Sequence, residues 1–151
     1  MKKILTLVFV AILMVGISSP VDASEKRDIA KALEMIEQTN LEIEAKIDNG
    51  VKRADKLFAD YQKDIQELEK NKKLKKDPES KKEQKQKLTA NYEEKRDRII
   101  DVVFNETLQM SRNTIERASE LGVMAECSWV LIRFGDKSVW IDPVRVVGLK
   151  K

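Results

Sequence analysis

Few residues in this chain carry side chains that could do chemistry. Its 151 residues include no histidine, which excludes Ser-His-Asp and Cys-His catalysis, histidine-ligated zinc and a histidine pH switch. The single Cys127 has no second cysteine with which to form an intramolecular disulfide or a thiolate metal site. Asp and Glu recur at helical spacing, which is typical of solvated helix faces and not of a glycosidase carboxylate pair. We therefore expect no enzymatic activity, no catalytic residues, no metal and no cofactor.

Positive charge is concentrated in residues 70–87, where nine lysines stand against three acids, although the net charge of the whole chain is only +3. One interpretation is contact with an anionic surface such as wall polymer, lipid headgroups or an acidic protein. The residues that would make this contact are Lys72, Lys73, Lys75 and Lys76. The other interpretation is a solvated turn. Nucleic acid is not expected as a partner, because no aromatic residue lies among these lysines to stack on a base.

The basic stretch lies between two long segments with helical periodicity. In the first, the positions predicted to face the other helix, which we call the seam, recur in alternating steps of four and three residues. They are Ile29, Leu33, Ile36, Asn40, Ile43, Ile47, Gly50 and Ala54. Asn40 either fixes the helix register or is simply a tolerated polar residue. Asn49-Gly50 commonly marks a turn, but the spacing runs through Gly50 without a change of phase. We favour one continuous helix over two shorter ones.

The second segment is predicted to begin at Asp77-Pro78, because Asp is a preferred N-cap and Pro suits the first helical position. Its predicted seam is Leu88, Tyr92, Lys95, Ile99, Val103, Thr107, Met110, Thr114, Ala118 and Leu121. A further apolar stripe, Ile100, Phe104, Leu108 and Ile115, needs another element to cover it. Gly122 is predicted to end the helix. Matching lengths and a short connection indicate an antiparallel helical hairpin with residues 70–87 at its tip.

After Gly122 the composition becomes β-branched and aromatic. Residues 127–134 and 137–142 predict two strands joined by a two-residue Gly135-Asp136 turn. This register places Ile132 opposite Val139 on a wholly apolar face, which we expect to cover the uncovered stripe of the second helix. Pro143 is predicted to interrupt the ladder, and residues 144–147 to add a short extended piece.

The other face of this hairpin carries Trp129, Leu131, Arg133, Ser138, Trp140 and Asp142. Trp129, Leu131 and Trp140 are candidates for an exposed interface with a protein partner or a second protomer. Burial of the same three side chains against the protein's own helices is the alternative. Cys127, just ahead of the first strand, either bridges two protomers or is a buried, unpaired thiol.

The N-terminus has the pattern of a bacterial secretory signal. Lys2 and Lys3 precede an apolar run at residues 4–16, and small residues before the predicted cleavage between Ala23 and Ser24 complete the pattern. The alternative is a retained membrane anchor over residues 4–17, which we disfavour because a spanning helix needs roughly 18 or more apolar residues. We expect a secreted or extracytoplasmic protein.

Together these patterns predict a mainly α protein with a cleaved signal peptide at 1–23. A coiled-coil-like antiparallel helical hairpin follows at 24–122, and a small C-terminal β-hairpin and tail at 123–151. The leading hypothesis for function is an exported, non-enzymatic interaction protein of the cell envelope or exterior that forms a homo-oligomer. The outline is also similar to that of the periplasmic Skp-type chaperones, in which helical tentacles project from a small β body. That resemblance is one of architecture, and it implies a holdase chaperone as the second hypothesis.

Overall fold

The computed structural model describes residues 23–71 and 77–150 as two long helices followed by four short strands. The helices are α1 (Ala23–Lys70) and α2 (Pro78–Glu120). With 48 and 43 residues, they are about 70 and 65 Å long at about 1.5 Å per residue. They lie antiparallel, so the prediction of a mainly helical chain with two long helices and a small C-terminal antiparallel β element is confirmed.

The helix α1 runs without a break through Asn49 and Gly50, as the unchanged seam phase predicts. Gly50 is buried where α1 meets α2 and the β strands. A Cβ at this position would lie 2.6 Å from Cγ2 of Val103 and 3.0 Å from Cε1 of Phe134. The glycine therefore serves close packing inside a continuous helix and does not form a turn.

The ends of α2 follow the predicted capping residues. The Asp77 carboxylate accepts a hydrogen bond from the Ser80 backbone N–H at 3.1 Å, and Pro78 is the first helical residue. At the other end Leu121 is the C-cap, and Gly122 has a φ of +84°. This left-handed conformation favours glycine and turns the chain out of the helix.

The buried seam of α2 differs from the predicted one. The buried residues are Tyr92, Arg96, Ile100, Val103, Thr107, Ser111, Thr114 and Ala118. Lys95 is exposed, and Ile99 and Met110 are half-buried, so the prediction that these three lie on the seam is wrong. Successive buried residues of α2 are four, four and three positions apart, and this pattern repeats every eleven residues. Eleven residues in three turns correspond to 3.67 residues per turn, which is close to an unstrained helix. The predicted seam has a similar mixture of spacings, but its first two spacings of three fall at Tyr92–Lys95 and Thr107–Met110, whereas the observed ones fall at Ile100–Val103 and Ser111–Thr114.

The C-terminal strands are β1 (Val123–Cys127), β2 (Val130–Phe134), β3 (Lys137–Ile141) and β4 (Val144–Leu149). The pairing of β2 with β3 places Ile132 opposite Val139 around the Gly135-Asp136 turn, so the predicted register is confirmed. β1 pairs antiparallel with β4, a second ladder that the sequence analysis did not predict. We call residues 123–134 and 137–149 together the β-ribbon.

The ladder is interrupted in the middle of the β-ribbon, so residues 127–134 do not form the single strand that was predicted. Cys127 ends β1, and β2 begins only at Val130. Pro143 lies opposite the interruption and has no N–H to donate to a ladder, which agrees with its predicted role. The Ser128 N–H still donates to the Pro143 carbonyl at 2.7 Å and joins the two halves.

The β-ribbon packs along one side of the helical pair through two apolar clusters. Near the open end of the hairpin, β1 and β4 contribute Val123 and Val144, which pack with Ala32, Ile36 and Ala118. Nearer the tip, β2 and β3 contribute Phe134 and Ile141, which pack with Ala54, Ile100 and Val103. Phe104 joins the second cluster and Ile115 the first. The prediction that the hairpin covers the extra stripe of α2 is therefore confirmed for Ile100 and Phe104, whereas Ile115 packs with β1 and β4 instead.

Candidate functional site

Three large apolar side chains are exposed on and directly beside β2 and β3. Leu131 and Trp140 are paired across the ladder, and Trp129 immediately precedes β2. Their exposed fractions are 55% for Trp129, 52% for Leu131 and 54% for Trp140. Of the two alternatives that the sequence left open, the structure therefore shows exposure and not burial against the protein's own helices. We call these three residues the tryptophan face.

Strand alternation explains why this face is exposed. Successive side chains of a strand point to opposite sides of a sheet, and the opposite side here carries Phe134 and Ile141, which are fully buried. Their burial fixes the orientation of β2 and β3, because a one-residue slip would exchange the two faces. The tryptophan face is consequently presented by a ribbon that is firmly packed underneath.

Polar contacts attach the turn of the β-ribbon to both helices. The Gly135 N–H donates to the Asp55 carboxylate of α1 at 3.1 Å. On α2, the Tyr92 hydroxyl donates to the Asp136 carboxylate, and Nη1 of Arg96 donates to the same carboxylate at 2.9 Å. Gly135 has a φ of +62°, and a Cβ there would lie 3.0 Å from the Tyr92 hydroxyl. The turn thus needs glycine both for its conformation and for its close approach to the helices.

The charges at this turn are mutually compensated. Desolvation alone would raise the pKa of Asp136, but the hydrogen bonds from Tyr92 and Arg96 outweigh it, so that the pKa is lowered. Burial and the neighbouring Asp136 carboxylate raise the pKa of Tyr92 to about 12. Asp97 accepts from Arg96 and also pairs with Lys137 at 3.1 Å. With every group partnered, this cluster holds the turn of the β-ribbon on the two helices.

A polar layer separates the two apolar clusters. The side chain of Asn40 donates to the Val144 carbonyl at 2.8 Å and accepts from the Val144 N–H at 2.9 Å. The Thr39 and Thr114 hydroxyls lie 2.8 Å apart. The sequence left Asn40 either as fixing the helix register or as a tolerated polar residue. Both interpretations are wrong, because Asn40 hydrogen-bonds the β-ribbon and so joins β4 to α1.

The least satisfied group in this layer is the carboxyl of Asp142. The sequence placed Asp142 on the outer face of the hairpin, but the residue is completely buried. That prediction is wrong because β3 ends at Ile141, and strand alternation no longer applies beyond the end of the ladder. The Ser111 hydroxyl donates to the Asp142 backbone carbonyl at 2.5 Å, which draws this part of the chain onto α2.

One oxygen of the Asp142 carboxyl contacts a thiol and the other has no partner. Sγ of Cys127 lies 3.6 Å from Oδ2, while Oδ1 forms no hydrogen bond within the described part of the chain. Burial is the main cause that raises the pKa of Asp142. Burial and the adjacent carboxyl also raise the pKa of Cys127. Because the thiolate is the reactive form of cysteine, this environment makes Cys127 a poor nucleophile.

The other two sites predicted from the sequence are the basic stretch and the signal cleavage site. The four lysines predicted to contact an anionic surface, Lys72, Lys73, Lys75 and Lys76, lie outside the described residues. Further along the basic stretch, Lys85 pairs with Glu69 of α1 at 3.4 Å, and Lys87 pairs with Glu83 at 2.7 Å. Ala23 and Ser24, the residues flanking the predicted cleavage site, begin α1, and the apolar run before them is also outside the described residues.

Residues 23–71 and 77–150 contain no group of three or more acidic or cysteine side chains that could hold a metal ion. No helix within these two ranges is both long enough and apolar enough to cross a membrane. No protein-family model matches the chain, and no curated protein or solved structure matches it. The tryptophan face is therefore the site from which a function can best be argued.

Proposed function

We propose that this protein is an exported, non-enzymatic coiled-coil protein that works by binding other protein surfaces through its tryptophan face. The observation that carries the proposal is the exposure of Trp129, Leu131 and Trp140, each above one half, on a ribbon that is anchored to both helices. Tryptophan is among the residues most enriched at the energetic centres of protein interfaces. A firmly supported strand pair also loses little freedom when a partner binds.

The first partner we propose for this face is a second copy of the chain. Complete burial of one large apolar side chain is worth roughly 1.5–3 kcal/mol, so three such side chains on each of two protomers provide a substantial driving force. Association costs an estimated 4–15 kcal/mol in lost translational and rotational freedom. Because the three side chains are already about half buried, six of them recover about 5–9 kcal/mol. The surplus of about 8 kcal/mol that corresponds to a micromolar dissociation constant therefore also needs neighbouring exposed side chains of the β-ribbon such as Met124 and Val130.

Export and a role for the basic tip are parts of the same proposal. The apolar run at residues 4–16 with cleavage after Ala23 would direct the chain out of the cytoplasm. Lys72, Lys73, Lys75 and Lys76 would then meet an anionic envelope surface. Two distinct surfaces would let one molecule attach to the envelope and to a protein at once.

Analytical ultracentrifugation of the chain from Ser24 onwards tests the proposal. At tens of micromolar protein we expect a dimer or higher oligomer, since this range lies above a micromolar dissociation constant. The double variant Trp129→Ala, Trp140→Ala should sediment as a monomer with its helical circular dichroism nearly unchanged.

The matched control is Leu33→Ala with Leu41→Ala, because these side chains are also exposed, at 41% and 54%, but belong to α1 and not to the β-ribbon. This control should remain oligomeric. A parent protein that is monomeric at tens of micromolar, or an oligomer that both double variants weaken equally, would refute self-association through the tryptophan face.

A holdase chaperone is the second candidate function. It is favoured by the clustering of exposed large apolar residues, since seven of the ten in the described chain lie on the β-ribbon. Such a surface could hold unfolded clients as well as one defined partner. A chaperone should suppress aggregation of an unfolded client at stoichiometric amounts and should lose this activity in the Trp129→Ala, Trp140→Ala variant. Without suppression by the parent protein, the dedicated interaction protein is preferred.

A further inference from the structure

A second open surface lies on the side of the helical pair away from the β-ribbon. A groove runs there between α1 and α2, and its apolar floor is formed by Leu57, Ile99 and Val102. Val102 is 51% exposed, whereas Leu57 and Ile99 are half-buried. Among the described residues, none from the β-ribbon lines this groove, so the strands that cover the opposite side leave this floor open to solvent.

The walls of the groove are strongly basic. Arg53 and Lys56 line it from α1, and Lys95 and Arg98 line it from α2, against the single acid Asp60. These five charges leave a net of +3. Arg98 also pairs with Glu94 of its own helix at 2.5 Å, which reduces the net charge to +2 if that glutamate is counted.

Cross-helix ion pairs stand at both ends of this basic groove but not within it. Towards the open end of the hairpin, Lys46 pairs with Glu106 at 2.6 Å, and towards the tip Lys85 pairs with Glu69 at 3.4 Å. In the described chain, Arg53, Lys56 and Lys95 form no ion pair. The basic side chains beside the open apolar floor are thus not neutralised by acids of the facing helix.

The dimensions of the groove suit a helix. Its lining runs over residues 53–60 of α1 and 95–102 of α2, which is about 11 Å, or two helical turns, at about 1.5 Å per residue. A groove between two helices, with an apolar floor and charged walls, receives an amphipathic helix through side chains at positions i, i+3, i+4 and i+7. Acidic side chains on both flanks of such a helix would meet the basic walls.

We propose that this groove binds an acidic amphipathic helix of another protein, which completes a local three-helix arrangement with α1 and α2. Apolar residues of the partner would lie on Leu57, Ile99 and Val102, and its glutamates or aspartates would pair with Arg53 and Lys95 on opposite walls. The site goes beyond the proposed function, because it lies on a different side of the molecule from the tryptophan face and would take a partner of defined charge.

The test uses a synthetic fluorescent peptide of about 18 residues, long enough to populate a helix when bound. It carries leucines at helical spacing with glutamates on both flanks. There are two control peptides. The first has the same composition in permuted order, and the second has lysines in place of the glutamates. By fluorescence anisotropy at low salt, we expect the acidic amphipathic peptide to bind the chain at least about tenfold more tightly than either control, or about 1.4 kcal/mol.

Variants of the protein locate the binding site. Arg53→Glu with Lys95→Glu should weaken peptide binding at least about tenfold. The matched control, Lys26→Glu with Lys150→Glu, changes the net charge equally at exposed positions outside the groove and should leave binding within about threefold. Trp129→Ala with Trp140→Ala should bind the peptide normally, which separates this site from self-association through the tryptophan face.

Three results would overturn the proposal. The permuted peptide could bind as tightly as the amphipathic one, which would show charge attraction without a helix site. Both charge-reversal variants could weaken binding to the same extent, which would show a whole-molecule field. Alternatively, vesicles of phosphatidylglycerol and phosphatidylcholine could bind the parent protein through Arg53 and Lys95 while the peptide does not, which would identify a lipid-binding surface.

Discussion

The replacement Asp142→Asn should stabilise the protein at neutral and alkaline pH. The Asp142 side chain is completely buried, and one of its oxygens has no hydrogen-bond partner in the described chain. Asn has nearly the same shape and can still accept from the Cys127 thiol, but it carries no charge. The substitution therefore removes the cost of a buried carboxylate while it leaves the packing against α2 in place.

The expected magnitude follows from the cost of an unsatisfied buried group. Such a group costs about 1–3 kcal/mol, and more when it is charged. Asn retains a neutral unsatisfied amide at the position of Oδ1, so only the additional cost of the charge is recovered. We expect the free energy of unfolding at about pH 8 to rise by about 1–3 kcal/mol relative to the parent.

The pH dependence gives the sharper test. Burial raises the pKa of Asp142 above its ordinary value of 3.8, so the folded protein holds this proton more tightly than the unfolded chain does. The protonated carboxyl contributes to the free energy of unfolding. This contribution is fully present below pH 3.8 and is lost as the pH rises through the raised folded-state pKa. The advantage of Asn over Asp should therefore be small near pH 4 and should grow as the pH rises.

Urea unfolding followed by helical circular dichroism, at several values between about pH 4 and pH 8, measures this difference. The lowered pKa values of Asp97 and Asp136 give stability that falls as the pH falls, but that contribution is common to both proteins and cancels in the difference. Asp64→Asn, at an exposed position of α1, is the control and should differ little from the parent. An Asp142→Asn advantage that does not grow with pH would refute the reasoning.

Two further predictions concern packing and the polar layer. Gly50→Ala should lower the free energy of unfolding by up to about 2 kcal/mol. The new Cβ would lie 2.6 Å from the stiff Val103 side chain, and overpacking costs about 1–3 kcal/mol against a helix-propensity gain of about 1 kcal/mol. In Gly148→Ala only the flexible end of Met124 lies close, at 2.9 Å, so this control should cost less in the same urea titration. Asn40→Ala should lower the free energy of unfolding by about 2–4 kcal/mol, because both backbone groups of the buried Val144 lose a partner. A loss no larger than that of Thr39→Ala, which removes one hydroxyl–hydroxyl contact, would contradict the assigned role of Asn40.

The elements that could be predicted from the sequence are those specified by local chemistry. Asp77-Pro78 and Gly122 define the two ends of α2 through their own capping preferences. Gly135-Asp136 fixes the register of β2 and β3, because only one loop length leaves an unmixed apolar face. The sequence left Trp129 either exposed or buried against the protein's own helices, because both faces of the ribbon carry large side chains.

The features that were missed depend on contacts between distant parts of the chain. β1 pairs Val123 with Leu149, but among its five residues only Val123 is β-branched or aromatic, so its local strand propensity is low. Arg96 is buried on the seam because Asp136 of the ribbon turn receives its guanidinium, and nothing in the helical segment itself indicates that partner. The burial of Asp142 likewise follows from where the ladder is interrupted.

The polar layer explains how the tryptophan face comes to be held in one place. An apolar ribbon on an apolar helix pair could slide with little loss of stabilising free energy, because hydrophobic burial has no preferred direction. Hydrogen bonds do have a preferred direction. Asn40 hydrogen-bonds both backbone groups of Val144, and the Asp55 carboxylate accepts from the N–H of Gly135. These contacts lie in the two halves of the ribbon, so a displacement of either half would leave buried polar groups unpaired, at about 1–3 kcal/mol each. Rigid presentation of Trp129 and Trp140 is therefore achieved by the side of the ribbon that faces the helices.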